Sequence, residues 1–244
     1  MDVDVFRFWA SLASVLMVAA VQAGYPWIER RSGAQLSLLT AVAGGVAVGY
    51  VALYLLPKIG DYTAAIIAAR PDGRELLHYR LYYFFLGGLI FYFFIDQARP
   101  AGRALPALLH GVAFVGYSFL TGGVLATVPR AGYFPFLLAG LALSLHYIGI
   151  CHQLRDWHHD SFDRYMRWLI AAATLAGWAV GATGLVSKEL LAILVAFLGG
   201  GILVNVLREE WPRQDSRRVA PFLSGVGLFL VLTIIVRNLD ASTS

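Results

Sequence analysis

The sequence predicts an all-α polytopic membrane protein with eight transmembrane helices, folded as one domain over residues 1–244. Of its 244 residues, 59% are hydrophobic and only 14% are charged, and the mean hydropathy is +0.67. A soluble domain has about a quarter of its residues charged, so lipid must be the solvent for most of this chain. The apolar runs lack the alternating polarity of membrane strands, which leaves helices.

Eight apolar runs are long enough to cross a bilayer, which takes about 17–25 residues in a helix. Charged residues, Pro or Gly separate each run from the next, and no stretch between them is long enough for a soluble domain. The predicted spans are 5–27, 34–56, 78–97, 104–126, 132–154, 164–185, 188–207 and 218–237.

The distribution of basic residues predicts the orientation. The connections after spans one, three, five and seven contain more Lys and Arg than the connections and ends on the opposite side. Such residues accumulate on the cytoplasmic side, where they also anchor helices to headgroups. We therefore expect an integral protein of the plasma membrane or the bacterial inner membrane, with both termini outside. The net charge of +4 is explained by this anchoring, and no nucleic-acid partner is expected.

A spacing pattern occurs twice. Span two contains Gly44-Gly45, eleven further residues and then Pro57-Lys58, and span seven contains Gly199-Gly200, eleven further residues and then Pro212-Arg213. Because the two spans run in opposite directions, the pattern indicates an inverted repeat of spans 1–3 and 6–8, as in many secondary transporters. The alternative is chance recurrence, since small residues pack membrane helices in any case and would also suit a homodimer.

Two histidines fall near mid-membrane depth, where a polar group is expensive and is a candidate for function. His110 precedes the midpoint of span four and His146 follows the midpoint of span five. Because the two helices are antiparallel, both histidines are displaced toward the same, cytoplasmic, side. Tyr117 and Thr121 share the His110 face at helical spacing, and Gln153 shares the His146 face. We take these three as candidates for lining a pathway.

Two interpretations of His110 and His146 remain open. In the first, the pair binds a divalent cation, because neutral imidazole is a good ligand for zinc and similar metals. In the second, each histidine is structural and bonds to a neighbouring helix, since zinc prefers three or four ligands and no carboxylate is near in sequence. Asn205, in span seven, likewise lines a pathway or serves helix packing.

A second candidate metal cluster lies at the cytoplasmic end of span five. His152, Asp156 and His159 are spaced i, i+4 and i+7, so on a continuous helix they share one face. A His/Asp/His set at this spacing suits a metal ion. The same residues are also typical of an ordinary helix end at the membrane interface.

The chain resembles the ZIP family of divalent-metal permeases. Span two, with Ala43–Val48 followed by Leu53–Lys58, is similar to the Gly-rich ZIP helix that ends in His-Leu-Leu-Pro-Glu. Span seven, with Gly199–Gly201 followed by Arg208–Pro212, is similar to its counterpart. The resemblance implies eight spans, both termini outside, an inverted relation between the first three and last three helices, and transport of a divalent cation as substrate.

The ZIP metal-site motifs are mostly replaced. The fourth ZIP helix has His-Asn followed by an acid, whereas here Gly111 follows His110 and no acid is present. In the fifth helix His146 keeps the first position of His-Glu-x-Pro-His-Glu, and in span two Tyr54 and Lys58 replace the motif's His and Glu. The resemblance therefore carries over only His110 and His146 as metal ligands, in a degenerate site.

The sequence is compatible with three functions. The first is a ZIP-like permease for a divalent metal such as zinc, with no resident cofactor required. The second is a non-transporting membrane sensor or scaffold that uses His152, Asp156 and His159. The third, a zinc-dependent intramembrane hydrolase, is disfavoured because no histidine follows His159. We therefore do not expect an enzyme.

Overall fold

A computed structural model describes residues 3–69, 79–97, 104–127, 134–211 and 216–243. The protein is almost entirely helical (96%), with no strand in these ranges. This confirms the all-α prediction. Its α-helices are α1 Val3–Ser32, α2 Leu36–Tyr50, α3 Leu56–Ala69, α4 Arg80–Gln97, α5 Ala104–Thr127, α6 Phe134–Trp157, α7 His159–Ser161, α8 Arg167–Ala182, α9 Lys188–Asn205 and α10 Ser216–Thr243.

Within the described ranges, four helical stretches are long and apolar enough to cross a membrane, as expected for an integral membrane protein. They are Phe8–Ala68, Leu108–Ala126, Glu189–Arg208 and Ser216–Ile235. The first contains 61 residues, about three times the length that one crossing needs. It includes both α1 and the α2–α3 helix, which are separated by a short 3-10 turn, Gly33–Gln35. Gly33 has φ +49°, a left-handed conformation that glycine adopts without strain.

The second predicted span does not end before Pro57. A π-helical turn, Val51–Leu55, connects α2 to α3, so the helix continues to Ala69. Proline has no N–H and its ring crowds the preceding turn, and a wider π-turn in front of it accommodates both effects. The predicted break after residue 56 is therefore wrong, and the residues after Pro57 extend the same helix.

A second π-helical turn, Val206–Glu210, ends the helix that begins with α9. The N–H of Trp211 closes it by donating to the carbonyl of Val206 at 2.9 Å. This turn follows Gly199-Gly200 at the same separation as the turn Val51–Leu55 follows Gly44-Gly45. The spacing pattern noted in the sequence thus coincides with matching backbone irregularities, although Pro212 and Arg213 themselves lie outside the described residues.

Close helix pairs are built from reciprocal glycines. In the α2–α10 pair, a Cβ on Gly45 would collide with the carbonyl of Phe222, and a Cβ on Gly225 would collide with the carbonyl of Val42. Side chains other than hydrogen are therefore excluded at both glycines, and the two backbones approach closely.

The α4–α9 pair uses the same arrangement. A Cβ on Gly200 would collide with the carbonyl of Phe85, and a Cβ on Gly88 would collide with the carbonyl of Phe197. In both pairs, the glycine of each helix lies three residues along the chain from the carbonyl that the same helix presents to the other glycine. The α5–α8 pair has the same arrangement: a Cβ on Gly122 would collide with the carbonyl of Thr174, and a Cβ on Gly177 with the carbonyl of Phe119.

The middle of the protein is occupied by α6, which packs against α1 and α2. Nearly all of its residues from Leu138 to Leu154 are buried, including His146, Gly149 and Gln153. The helix ends at Trp157, and His158 interrupts it with φ −141° and ψ 50° before α7 begins. The assumption of a continuous helix through His159 is therefore wrong, because the backbone turns between Asp156 and His159.

Candidate functional site

The side chain of Glu210 is almost completely buried, with 3% of its surface exposed. The charges and the proline around this residue in the sequence predict that it lies in a connection between spans. The π-turn that ends at Glu210 keeps it inside the helical bundle instead. A carboxylate at such depth is costly unless other groups stabilise its charge, so its neighbours define the candidate site.

Two glycines form the space that Glu210 occupies. A Cβ on Gly149 of α6 would overlap the carboxylate of Glu210 at Oε1, and a Cβ on Gly44 of α2 would lie 2.5 Å from the Glu210 Cβ. Any larger residue at either position would displace the side chain. These glycines explain how a carboxylate enters a tightly packed interface between α2 and α6.

His146 lies directly behind this carboxylate. Its Nδ1 is 3.6 Å from Oε1 of Glu210, and its Nε2 is 2.9 Å from the hydroxyl of Tyr117 on α5. Both His146 and Tyr117 are 0% exposed. Three buried groups from α5, α6 and the π-turn after α9 thus form a row, Tyr117–His146–Glu210.

The row has unused bonding capacity. Among buried atoms of the described residues, Nδ1 of His146 and Oε2 of Glu210 have no hydrogen-bond partner. When Nε2 of His146 carries the proton and donates to Tyr117, Nδ1 presents a lone pair toward Glu210. That tautomer offers an imidazole nitrogen and a carboxylate oxygen, two ligand types that divalent metals of the zinc class bind.

A cavity of about 340 Å³ reaches this site from the end of the bundle where α1 joins α2. Glu210 and Gly149 contribute to its wall, as do polar residues from α2, α6 and α10. The polar lining residues are Ser37, Thr40, His152, Gln153, Asp156, Glu210 and Arg218. The cavity gives the buried carboxylate of Glu210 a polar approach, with His146 on its far side.

His110 belongs to a different network. Its Nε2 donates to the carbonyl of Ile95 at 2.9 Å, and its Nδ1 lies 3.1 Å from Nε2 of His158. Because a carbonyl only accepts, the neutral ring carries its proton on Nε2 and accepts at Nδ1. Both nitrogens are thus engaged, and no contact between the imidazoles of His110 and His146 occurs among the described contacts.

Besides Tyr117, the other two predicted pathway residues on α5 and α6 join further buried networks. Thr121 donates to the carbonyl of Tyr117 at 2.9 Å and receives the hydroxyl of Tyr147 at 3.2 Å. Gln153 donates to Asp96 at 3.2 Å, and Asp96 also forms an ion pair with Arg208. The amide nitrogen of the buried Asn205 has no partner within the described part of the chain.

The three candidates of the second predicted metal cluster, His152, Asp156 and His159, do not converge. His152 faces Glu29 at 3.8 Å, whereas His159 faces Asp160 at 3.5 Å and Asp163 at 3.9 Å. Asp156 lines the cavity instead. Across the described ranges, no group of three or more His, Cys, Asp or Glu side chains is placed to hold a metal ion.

An ion-pair cluster stabilises this end of the bundle. Arg155 donates from Nε and Nη2 to the two carboxylate oxygens of Asp163, both at 2.8 Å, and also pairs with Glu29 of α1. The hydrogen bonds from Arg155 hold the pKa of Asp163 below its ordinary value. Burial, followed by the proximity of His110, lowers the pKa of His158.

The chain matches no protein-family model and no curated protein. The candidate site is therefore defined by its own geometry.

Proposed function

We propose that the chain is a ZIP-like permease that carries a divalent cation through a degenerate site formed by Glu210 and His146. Zinc is the reference substrate, and no resident cofactor is required. The observation that carries the proposal is the buried Glu210–His146 pair, since its two unpartnered atoms are of ligand type and lie beside a polar cavity.

The proposal includes eight spans. The 61-residue stretch Phe8–Ala68 is too long for one crossing and divides naturally at Gly33. Helices α4, α6 and α8 supply the third, fifth and sixth spans in this interpretation. Both termini lie outside, on the basis of the distribution of basic residues.

An inverted repeat of spans 1–3 and 6–8 is part of the same proposal. The α2–α10 pair would correspond to the α4–α9 pair, with Gly45 in the place of Gly200 and Gly225 in the place of Gly88. The π-turns Val51–Leu55 and Val206–Glu210 would then be equivalent. This relation supports a transporter, because such repeats place substrate sites between the two halves.

The repeat also accounts for the degenerate site. Leu55 stands in the first π-turn where Glu210 stands in the second, so only one half supplies a carboxylate. Zinc takes four ligands in structural sites and three protein ligands in catalytic ones. With two protein ligands, the remaining positions are filled by water or by groups that accompany the ion, which suits transient binding during transport.

The experiment is zinc uptake into proteoliposomes that contain the purified protein. We expect saturable uptake by the wild type and a loss of at least about tenfold in Glu210→Gln, since even outer-shell changes at metal sites cost 10–100-fold. Glu189→Gln, which removes the same charge from an exposed position at the start of α9, is the matched control and retains uptake. Equal uptake by wild type and Glu210→Gln would refute the proposed site.

The same preparation separates the two functional classes. Zinc binding by the wild type without any uptake would favour the non-transporting sensor or scaffold. In that case the residues to test next are His152, Asp156 and His159, at the end of the bundle where the cavity opens.

A further inference from the structure

The cavity that leads to Glu210 also contains a cation of the protein itself. Arg218, near the start of α10, lines this cavity. Its Nη2 reaches the hydroxyl of Thr40 and the backbone carbonyl of Glu210 only at 3.5 Å. Its Nε is buried and has no hydrogen-bond partner in the described part of the chain. The guanidinium therefore has donor capacity to spare.

Arg218 does not use this capacity to neutralise Glu210. The ion pairs formed by the described residues include none between the guanidinium of Arg218 and the carboxylate of Glu210, although both side chains line the cavity. The two side chains thus contribute opposite charges to the lining of one partly enclosed cavity. A ligand that fits this space would carry a positive group for Glu210 and a negative group for Arg218.

A dication alone would leave the guanidinium of Arg218 without a partner. The cavity lining supplies two carboxylates, Glu210 and Asp156, against this one guanidinium, and the guanidinium would repel an incoming dication, with less screening in a partly enclosed cavity than in water. An anion that arrives with the metal removes this repulsion. It also fills coordination positions that Glu210 and His146 leave open.

Carboxylate is the anion whose shape matches best. The planar guanidinium presents its N–H groups as a fork, which accepts two carboxylate oxygens side by side. The cavity of about 340 Å³ is large enough for a small organic ligand. We propose that the cation enters as a complex with a small carboxylate ligand, with the metal at Glu210 and His146 and the carboxylate at Arg218. This inference rests on the proposed permease function.

The test uses zinc and malonate with the reconstituted full-length protein. A metal buffer holds free Zn²⁺ constant while malonate, and with it the zinc–malonate complex, is increased. We expect wild-type zinc uptake to increase by about tenfold, the size of effect that a charge-assisted pair of hydrogen bonds supplies. Labelled malonate should enter with the zinc.

Variants of Arg218 identify the residue responsible. Arg218→Gln should lose the response to malonate, and Arg218→Lys should keep part of it, since Lys retains the charge without the fork. Arg217→Gln, which removes a neighbouring exposed charge outside the cavity lining, should respond as the wild type does. If Arg218→Gln fails to fold, Arg218→Lys and the entry of labelled malonate into wild-type vesicles decide the matter.

The contradicting outcomes are distinct. Wild-type uptake that depends on free Zn²⁺ alone, with no entry of malonate, overturns this inference and leaves the permease intact. Absence of zinc uptake under every condition overturns the permease and the inference together. An unchanged malonate response in Arg218→Gln removes Arg218 from the site and overturns the inference as well.

Discussion

Nδ1 of His146 lies 3.6 Å from Oε1 of Glu210, and both side chains are buried in the middle of the helical bundle. The two residues come from α6 and from the π-turn after α9, elements that meet only in the folded chain. Nδ1 and the second carboxylate oxygen, Oε2, have no hydrogen-bond partner among the described residues. A buried pair with unused ligand atoms is costly to maintain, which is typical of a site that binds something.

The space that holds Glu210 can be tested at Gly149. Gly149→Ala should reduce zinc uptake by at least about tenfold, because the new Cβ would overlap the carboxylate of Glu210 and move a ligand by an ångström or more. Gly116→Ala on α5 is the control, since a Cβ there meets nothing within 4 Å. Uptake by Gly149→Ala at the wild-type level would show that the position of Glu210 is not important for transport.

The proposed repeat predicts equal sensitivity at two distant glycines. Gly45→Ala and Gly200→Ala should each destabilise the protein by about 1–3 kcal/mol, the usual cost of overpacking, because each Cβ collides with a carbonyl of the adjacent helix. The melting temperature of the purified protein in detergent measures this. Gly227→Ala, with nothing within 4 Å, should melt as the wild type does. A large loss at only one of Gly45 and Gly200 would argue against equivalent interfaces.

His110 should be structural. His110→Ala removes the donor to the carbonyl of Ile95 and the partner of His158, and leaving one such buried group unsatisfied costs about 1–3 kcal/mol. We therefore expect a lower melting temperature, and His110→Asn should restore part of it by donating to Ile95. A melting temperature unchanged by His110→Ala would show that these hydrogen bonds do not stabilise the fold.

The Arg155–Asp163 ion pair predicts how stability depends on pH. Because the pKa of Asp163 is lowered by its hydrogen bonds from Arg155, its contribution is complete above the ordinary value of about 3.9 and is lost as the pH falls through the lowered pKa. Melting temperatures should therefore fall less steeply with acidification in Asp163→Asn than in the wild type. The difference at neutral pH should be at most about 1 kcal/mol, since the pair is partly exposed. Parallel curves would contradict this role.

The helical architecture follows from the sequence, because long apolar runs are visible without a structure. The two histidines inside such runs, His110 and His146, are both buried. The location of Glu210 does not follow in this way. A charged residue next to Trp211 and Pro212 is typical of a loop. Glu210 lies inside the helical bundle only because of the π-turn, which depends on tertiary packing. One signal in the sequence indicates this location. Glu210 follows Gly199-Gly200 at the same separation as Leu55 follows Gly44-Gly45, and Leu55 is buried.

The partners of the histidines could not be predicted either. The predicted spans place His110 and His146 at a similar level but do not fix the direction of either side chain. His110 points to α4 and to the break after α6, whereas His146 points to Glu210. Likewise, His152 and His159 separate because His158 interrupts the helix, and no sequence signal marks that residue as a breaker.

Zinc titration of two histidine variants, by calorimetry on the purified protein, distinguishes the histidine that binds the metal from the one that does not. We predict that His146→Ala weakens zinc binding by at least about tenfold, since it removes a ligand, and that His110→Ala leaves zinc binding unchanged. Wild-type affinity in His146→Ala, or a comparable loss in His110→Ala, would contradict a site formed by His146 and Glu210.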